Sequence, residues 1–151
     1  SWCEPRKVEW VILRVPGIYG PGRLPLERLQ RGEPALAESE AGPGNRIQVE
    51  DLADICVEAL LQPQARNRIY NVGDGDHTTS TAFLGLVAKL TGLPVPPQLP
   101  LTQLQALKSN VALSFLGESR RVDTSRLRQE LGFRPRYPTA ESGIRASLTG
   151  A

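Results

Sequence analysis

The sequence has little of what several protein classes require. Its 151 residues include only two cysteines, Cys3 and Cys56, and one histidine, His77. Two cysteines cannot build a disulfide framework or a four-thiolate zinc site, and no Cys/His spacing of the metal-site type occurs. No apolar run approaches the roughly 20 residues that span a bilayer, and the first residues hold no apolar segment of the secretory type. These features argue against a metalloenzyme, a disulfide-stapled protein and a membrane protein.

Net charge and composition say little about partners. The formal net charge is only +2, and the 40% hydrophobic and 23% charged residues are typical of a soluble globular fold. The arginines concentrate after residue 118. That pattern fits a solvated helix face or, as a second interpretation, a surface that faces phosphates. The two thiols and the lack of a leader favour a cytoplasmic protein, and the length fits one domain or a piece of a larger one.

Two segments predict buried strands of parallel type. Residues 8–15 form a nearly continuous apolar, β-branched run, which is typical of a strand covered on both faces. Residues 68–72 form a second such segment. A loop over 18–22 follows the first, and its glycines would let a ligand approach the backbone closely. Two parallel strands leave unpaired edges, so the chain reads as the second half of a larger sheet.

Helices alternate with these strands, which favours an α/β fold. Residues 32–45 predict an exposed loop, residues 46–49 an extended piece and residues 93–100 an extended linker. We divide the chain into residues 1–75, with the last sheet strands, and a mainly helical region over 76–151. The spacing and capping signals predict helices over residues 25–31, 50–61, 80–90, 101–116, 124–131 and from 139 onward.

Several helix details follow from single residues. Leu52, Ile55, Cys56, Ala59 and Leu60 form the apolar stripe of the second helix. Thr78, Thr79 or Ser80 caps the third helix, and Gly92 ends it. Asp123 or Thr124 begins the fifth helix and Gly132 ends it, while Ile144 and Leu148 face inward on the last.

Four segments, in order, resemble a known family. They read LRVPGIYGPG at 13–22, IQVEDLA at 47–53, IYNVGD at 69–74, and DTSRL followed by LGFRP over 123–135. They resemble the C-terminal half of extended (atypical) short-chain dehydrogenases/reductases, the NAD(P)-dependent epimerase/dehydratase family. The resemblance implies the C-terminal part of a Rossmann-like parallel sheet plus a small, mostly helical substrate-side subdomain.

The resemblance places the catalytic and pyrophosphate-binding elements upstream of this chain. No glycine-rich turn follows a first strand here, and none of the three tyrosines is followed by Lys four positions on. The family's Tyr-x-x-x-Lys pair and N-terminal dinucleotide-binding half are therefore expected to lie outside the chain. This chain alone is expected to be inactive, with no catalytic residue of its own.

The resemblance also implies a cofactor-facing loop. Pro16, Gly17 and Ile18 would contact the nicotinamide of NAD or NADP through their backbone, although a plain strand-ending turn is the structural alternative. Tyr19 either packs over the cofactor or fills the core. The residue that selects NAD or NADP would lie in the N-terminal half, so the choice between the two stays open.

Three further residues are expected to face the substrate: Arg23, Arg46 and Gln48. Arg23 follows the loop and could meet an anionic substrate group, although it could equally be solvated. Arg46 lies next to Gln48 in an extended segment and could reach the site because side chains alternate between faces. Gln48 stands where the family often has His or Tyr, but it cannot titrate, so it has no acid/base role. Asp51 reads as structural, at the start of a helix. The lone His77, in a polar turn, reads as capping or solvated rather than catalytic.

Three hypotheses follow. The first is the substrate-binding portion of an NAD(P)-dependent epimerase/dehydratase-type oxidoreductase, acting on a sugar-like or related small polar molecule. The second is a non-catalytic NAD(P)-binding regulator or sensor with the same fold. The third, which the small net charge does not favour, is nucleic-acid binding through the C-terminal arginines. No membrane partner is expected. An exposed sheet edge predicts that the chain associates with itself into a homo-oligomer.

Overall fold

The computed structural model of the chain describes Cys3 and residues 7–106 and 120–149. Strands and helices alternate through most of this part, as an α/β fold requires. No helix of this part is long and apolar enough to cross a membrane. The strands are β1 (Val11–Arg14), β2 (Gly17–Tyr19), β3 (Ala35–Leu36), β4 (Arg46–Gln48), β5 (Arg68–Asn71) and β6 (Gln98–Leu99). The helices are α1 (Leu26–Gln30), α2 (Val49–Leu61), α3 (Ser80–Thr91), α4 (Leu101–Gln105), α5 (Ser125–Leu131) and α6 (Ala140–Thr149).

The two predicted buried strands pair with each other. β1 and β5 run parallel, with Ile12 opposite Ile69 and Leu13 opposite Tyr70. β2 and β4 form a second parallel pair, and β3 and β6 a third. The predicted α/β class with parallel strands is therefore confirmed. The parallel arrangement requires a long crossover between paired strands, and α2 lies within the connection from β1 to its partner β5.

Three predicted irregular segments contain strands instead. The loop predicted over 18–22 was wrong at Ile18 and Tyr19, because both pair with β4. The exposed loop predicted over 32–45 was wrong at Ala35 and Leu36, which are 1% and 4% exposed and pair with β6. The linker predicted over 93–100 contains β6 for the same reason. These short strands exist because a distant partner supplies their hydrogen bonds, so no local pattern marks them.

Two apolar clusters hold the elements together. The first lies between β2, α1, α3 and α6, where Tyr19, Leu29, Phe83, Val87 and Ile144 are buried together. The second lies between β4, α2, β5 and α5, and it includes Ile47, Ile55, Tyr70, Val72 and Leu127. β4 directly follows the loop 41–45. This strand therefore connects the second cluster to a cavity that the loop lines.

β1 and α2 are less covered than predicted. Val11 and Leu13 pack against the second cluster, but Ile12 is 47% exposed, so the prediction of a strand covered on both faces was wrong for the described part of the chain. The predicted stripe of α2 is buried at Ile55 and Ala59, whereas Leu60 is 84% exposed. Cys56 is also exposed. The described residues therefore leave the side chains of Ile12 and Leu60 largely open to solvent.

The helix ends follow the local signals. The Thr79 hydroxyl accepts a hydrogen bond from the Ala82 amide at 2.9 Å, so Thr79 caps α3. Gly92 and Gly132 end α3 and α5 in the left-handed region, with φ of 70° and 65°. α6 buries Ile144 as predicted. Of the helix predicted over 101–116, the first turns are present as α4, and residues 107–116 lie outside the described residues.

Candidate functional site

A cavity of about 770 Å³ opens at the carboxyl end of β1. Ligands of open α/β sheets bind at this end of the strands. The end of β1, the loop before β4 and the beginning of α3 form its walls. The lining residues are Arg14, Val15, Pro16, Gly17, Leu36, Ala41, Gly42, Pro43, Gly44, Asn45, Arg46, Asn71, Ser80, Thr81 and Val122.

The cavity wall combines apolar groups with several polar side chains, and it carries positive charge. Two of the lining residues are arginines, and four others have amide or hydroxyl side chains: Asn45, Asn71, Ser80 and Thr81. None of the described lining residues is Asp, Glu, His, Lys, Tyr or Cys. General acid/base catalysis needs a side chain whose pKa lies near the working pH. The described wall can therefore bind and orient a ligand, but it offers no group suited to proton transfer.

Arg46 connects β4 to the beginning of α3. Its Nη1 donates to the Thr78 carbonyl at 2.6 Å, and its Nη2 donates to the Ser80 hydroxyl at 3.2 Å. The guanidinium lies over the Phe83 ring, 4.4 Å from the centroid, which is a cation–π distance. Burial lowers the pKa of the Arg46 guanidinium. These contacts fix the cation in one position on the cavity wall.

Gly44 makes room for that position. A Cβ at residue 44 would overlap with Nη1 of Arg46 and with the Thr78 carbonyl. The Gly44 amide donates to the His77 carbonyl at 3.2 Å, and Nδ1 of His77 lies 3.1 Å from the Gly44 carbonyl. His77 is outside the cavity lining, where it holds the loop 41–45 against the turn before α3.

Two carboxyl groups lie behind Arg46, in the turn after β5. Burial, and then the nearby charge of Asp76, raise the pKa of Asp74 to about 7. The pKa of Asp76 is shifted the other way. Burial opposes its ionisation, but hydrogen bonds from Thr78 and from the Ala140 amide outweigh that effect and lower the pKa. The Asp76 carboxylate accepts from the Thr78 amide at 2.7 Å, the Thr78 hydroxyl at 2.6 Å and the Ala140 amide at 2.7 Å. Asp76 therefore joins the beginning of α3 to that of α6.

The structure brings together three of the residues predicted to contact a ligand. Pro16, Gly17 and Arg46 all line the cavity. Ile18 packs against the second apolar cluster instead. Tyr19 is 4% exposed, its ring meets Phe83 edge-on at 5.3 Å, and its hydroxyl is buried with no hydrogen-bond partner among the described residues. Burial, followed by the charge of Asp74, raises the pKa of Tyr19.

The other two predicted substrate residues lie away from the cavity. Arg23 is exposed in the turn before α1. Gln48 is 1% exposed, and its side-chain oxygen accepts from the Glu50 amide at 2.5 Å, so it caps α2. Asp51 does not cap this helix as predicted. Its buried carboxylate accepts from the Arg136 amide at 2.7 Å and the Tyr137 amide at 3.1 Å, which holds the segment before α6 against α2.

Sequence reasoning missed much of the cavity wall. Ser80 and Thr81 read only as residues of a helix start, and the loop 41–45 read only as exposed. The Asn45 side chain donates to the Arg120 carbonyl at 2.7 Å and accepts from the Val122 amide at 2.9 Å, which holds residues 120–122 beside the cavity. The Gly-Pro-Gly run at 42–44 was the available signal, because such a run often lets the backbone approach a ligand.

Comparison with known proteins finds a curated relative of moderate identity. No protein-family model matches the chain. The chain is 35% identical over 127 residues to Protein YeeZ of Escherichia coli, a match that covers 84% of this chain and 40% of YeeZ. The chain therefore spans less than half the length of this curated relative.

Two solved structures share the fold. A functionally unknown conserved protein from Silicibacter pomeroyi is 33% identical, with a TM-score of 0.79 over 92% of this chain and 48% of that protein. The human epimerase family protein SDR39U1, solved with NADPH, is 19% identical, with a TM-score of 0.76 over 93% of this chain and 48% of that protein. This chain thus has the α/β fold of about half of a Rossmann-like epimerase structure.

Proposed function

We propose that this chain is the C-terminal, substrate-side portion of an NAD(P)-dependent oxidoreductase of the epimerase/dehydratase type. In this role it would position a sugar-like or related small polar substrate beside the nicotinamide. The observation that carries the proposal is the cavity at the carboxyl end of β1, lined by Pro16, Gly17 and Arg46. The fold shared with an NADPH-bound epimerase family protein supports it.

The chain's own residues would bind and orient. The backbone of Pro16 and Gly17 offers two carbonyls and one amide at the cavity, groups that can hold a carboxamide without a charged side chain. Arg46, on the neighbouring strand β4, and Ser80, at the beginning of α3, offer donors to the substrate. The cofactor, when bound, would supply hydride transfer. Proton transfer would belong to residues outside this chain, because the described wall holds no group with a suitable pKa.

The uncovered edge of β1 and the exposed apolar side chains next to it support the presence of an N-terminal half that packs there. β1 pairs only with β5 among the described strands, which leaves its other edge free. Apolar groups next to that edge are exposed, notably Val8, Ile12 and Val15. A free parallel edge with exposed apolar side chains is a surface that another strand would normally cover. In the proposal, the N-terminal half supplies that strand.

The test begins with the reading frame upstream of Ser1. We expect it to encode a strand followed by a glycine-rich turn, and further on a Tyr-x-x-x-Lys sequence. The full-length protein should then interconvert NAD(P) and NAD(P)H with a suitable substrate, whereas residues 1–151 alone should not. Cofactor turnover by this chain alone would overturn the assignment of the catalytic residues to the N-terminal half.

A non-catalytic NAD(P)-binding relative is the second candidate, and the lack of a proton-transfer group in the described cavity wall favours it. It predicts a full-length protein that binds NAD(P)H but has no Tyr-x-x-x-Lys sequence. Nucleic-acid binding finds less support, because Arg126 is paired with Glu130 at 2.7 Å and Arg136 with Asp54 at 2.6 Å. Salt-dependent binding of DNA or RNA would revive it.

A further inference from the structure

Arg46 lies on the cavity wall with its guanidinium held in one position, yet no described carboxylate forms an ion pair with it. Arg46 donates to a carbonyl and a hydroxyl, both neutral, and it forms no ion pair within the part of the chain that the structure describes. Charged groups that are withdrawn from water are normally paired. An arginine held this way on a cavity wall is therefore prepared for an anion that comes from outside.

The nearest acids do not take that place. Asp76 already accepts three hydrogen bonds, from two donors of Thr78 and from the Ala140 amide. Asp74 accepts from the Asp76 amide at 2.9 Å and is buried in the turn behind Arg46. Both act on the guanidinium only across space. On the cavity side, none of the described lining residues is acidic.

A second donor stands beside the guanidinium. Nη2 of Arg46 lies 3.2 Å from the Ser80 hydroxyl oxygen, and both residues line the cavity. The serine oxygen accepts from the arginine, so its own proton is available to another acceptor. Ser80 is also the first residue of the twelve-residue helix α3, whose amino end favours negative charge.

Two of the remaining polar groups on the wall are already engaged. Thr81 donates to the Leu36 carbonyl at 2.7 Å, and both ends of the Asn45 amide are used by residues 120–122. Arg46 and Ser80 lie next to each other, joined by a hydrogen bond, and together form a receptor sized for one anionic group.

We propose that the cavity selects a ligand bearing one carboxylate or phosphate group, and that this group binds between the Arg46 guanidinium and the Ser80 hydroxyl. The proposal rests on the assignment of this cavity as the substrate site under the proposed function. It adds the chemical class of the substrate. Charge-assisted hydrogen bonds to a guanidinium are stronger than those between neutral groups, so a neutral sugar would bind less well.

The test is a titration of the protein with inorganic phosphate, with succinate and, as the neutral probe, with glucose. We expect phosphate or succinate to bind and glucose to bind at least about tenfold more weakly, the difference that a charge-assisted bond provides. Preference for phosphate would point to a phosphate ester as the natural ligand, and preference for succinate to a carboxylic acid. Binding of neither anion, or tighter binding of glucose, would overturn the proposal.

Variants assign the effect to the receptor. Arg46→Gln keeps a donor but removes the charge, and should weaken anion binding by about tenfold or more. Gly44→Ala keeps the charge but displaces the guanidinium, since the added Cβ overlaps with it, and should also weaken binding. Arg145→Gln removes an exposed cation paired with Glu141 on α6 and should change nothing. Equal effects of Arg46→Gln and Arg145→Gln would contradict the proposal.

Two further measurements keep the test decisive. If Arg46→Gln fails to fold, Ser80→Ala replaces it, because the cap of α3 is Thr79 and stays intact. Ser80→Ala should weaken anion binding roughly threefold to tenfold, as loss of one hydrogen bond does. NAD(P)H binding to the full-length protein is measured separately. Anion binding without cofactor binding would leave this proposal standing and refute the proposed function, and the reverse result would do the opposite.

Discussion

The two faces of the β1–β5 pair differ sharply in how much of their apolar surface is covered. On one face, Val11 and Leu13 pack against a cluster that contains Ile55 and Tyr70, both fully buried. On the other, Ile12 is almost half exposed. The difference teaches that the described residues cover one face of the β1–β5 pair and leave the other face open to solvent. The proposed function expects this of the second half of a larger sheet.

The largest expected effect contrasts two isoleucines from these faces. Ile55→Ala should lower the free energy of unfolding by about 2–5 kcal/mol, since it opens a cavity in a buried cluster. Ile12→Ala should change it by roughly 1 kcal/mol or less, because that side chain is already in contact with water. Urea unfolding of both variants measures the difference. Equal losses would mean that the two faces are equally covered in solution.

A second contrast concerns two carboxyl groups in one turn. The folded-state pKa of Asp74, about 7, is raised above its ordinary value of 3.8. Its favourable contribution is therefore complete below pH 3.8 and is lost as the pH rises through about 7. The slope from this group reaches at most about 1.4 kcal/mol per pH unit. Asp74→Asn should remove that slope in unfolding measured between pH 5 and 8.

Asp76 provides the matched control with the opposite sign. Its pKa is lowered, so its contribution is present above pH 3.8 and is lost as the pH falls through the folded-state pKa. Asp76→Asn should destabilise the protein at pH 7, where Asp74→Asn should stabilise it. If both variants shift stability in the same direction at that pH, the environments assigned to the two groups are wrong.

A third contrast uses two glycines on the facing helices α3 and α6. A Cβ at Gly143 would overlap with the buried Tyr19 hydroxyl, so Gly143→Ala should cost about 1–3 kcal/mol of unfolding free energy. A Cβ at Gly85 would have nothing within 4 Å, so Gly85→Ala should stabilise by roughly 0.5–1 kcal/mol. Thermal unfolding measures both. A stabilising Gly143→Ala would show that Tyr19 is not held against α6.

The smallest expected effect on stability lies on the outer surface of α2. Leu60 is the most exposed large apolar side chain among the described residues, so Leu60→Ser should change the free energy of unfolding by roughly 0.5 kcal/mol or less. It should nevertheless reduce self-association of the chain, as sedimentation velocity would measure. Leu52→Ser is the control, because Leu52 packs against the second cluster and its loss should destabilise. Unchanged self-association in Leu60→Ser would exclude this surface as the cause.

Local signals in the sequence were sufficient for much of the fold. The apolar runs around Ile12 and Ile69 marked two strands, and Thr79, Gly92 and Gly132 marked helix ends through their own backbone chemistry. β3 and β6 could not be predicted in this way. Ala35 pairs with Gln98, and neither segment has enough residues to show a strand period.

The candidate site divides along the same line. Pro16 and Gly17 could be proposed because they lie in a segment that resembles a known family, and Arg46 could be proposed because it lies next to Gln48 in an extended segment. Ser80 could not, since its place on the wall depends on a contact with Arg46, 34 residues away in sequence. Asp51 shows the same limit: its hydrogen-bond donors are the amides of Arg136 and Tyr137, which only the folded chain brings to it.

The most direct test of the central claim is hydrogen–deuterium exchange on the full-length protein with and without NADPH. If this chain forms the substrate side of a nicotinamide site, cofactor binding should protect the amide of Gly17, which lines the cavity. The amides of α2 at Val57 and Leu60, on the outer surface of the chain, should serve as the unchanged reference. Cofactor binding that leaves Gly17 unprotected, or no binding of NAD(P)H at all, would contradict the account.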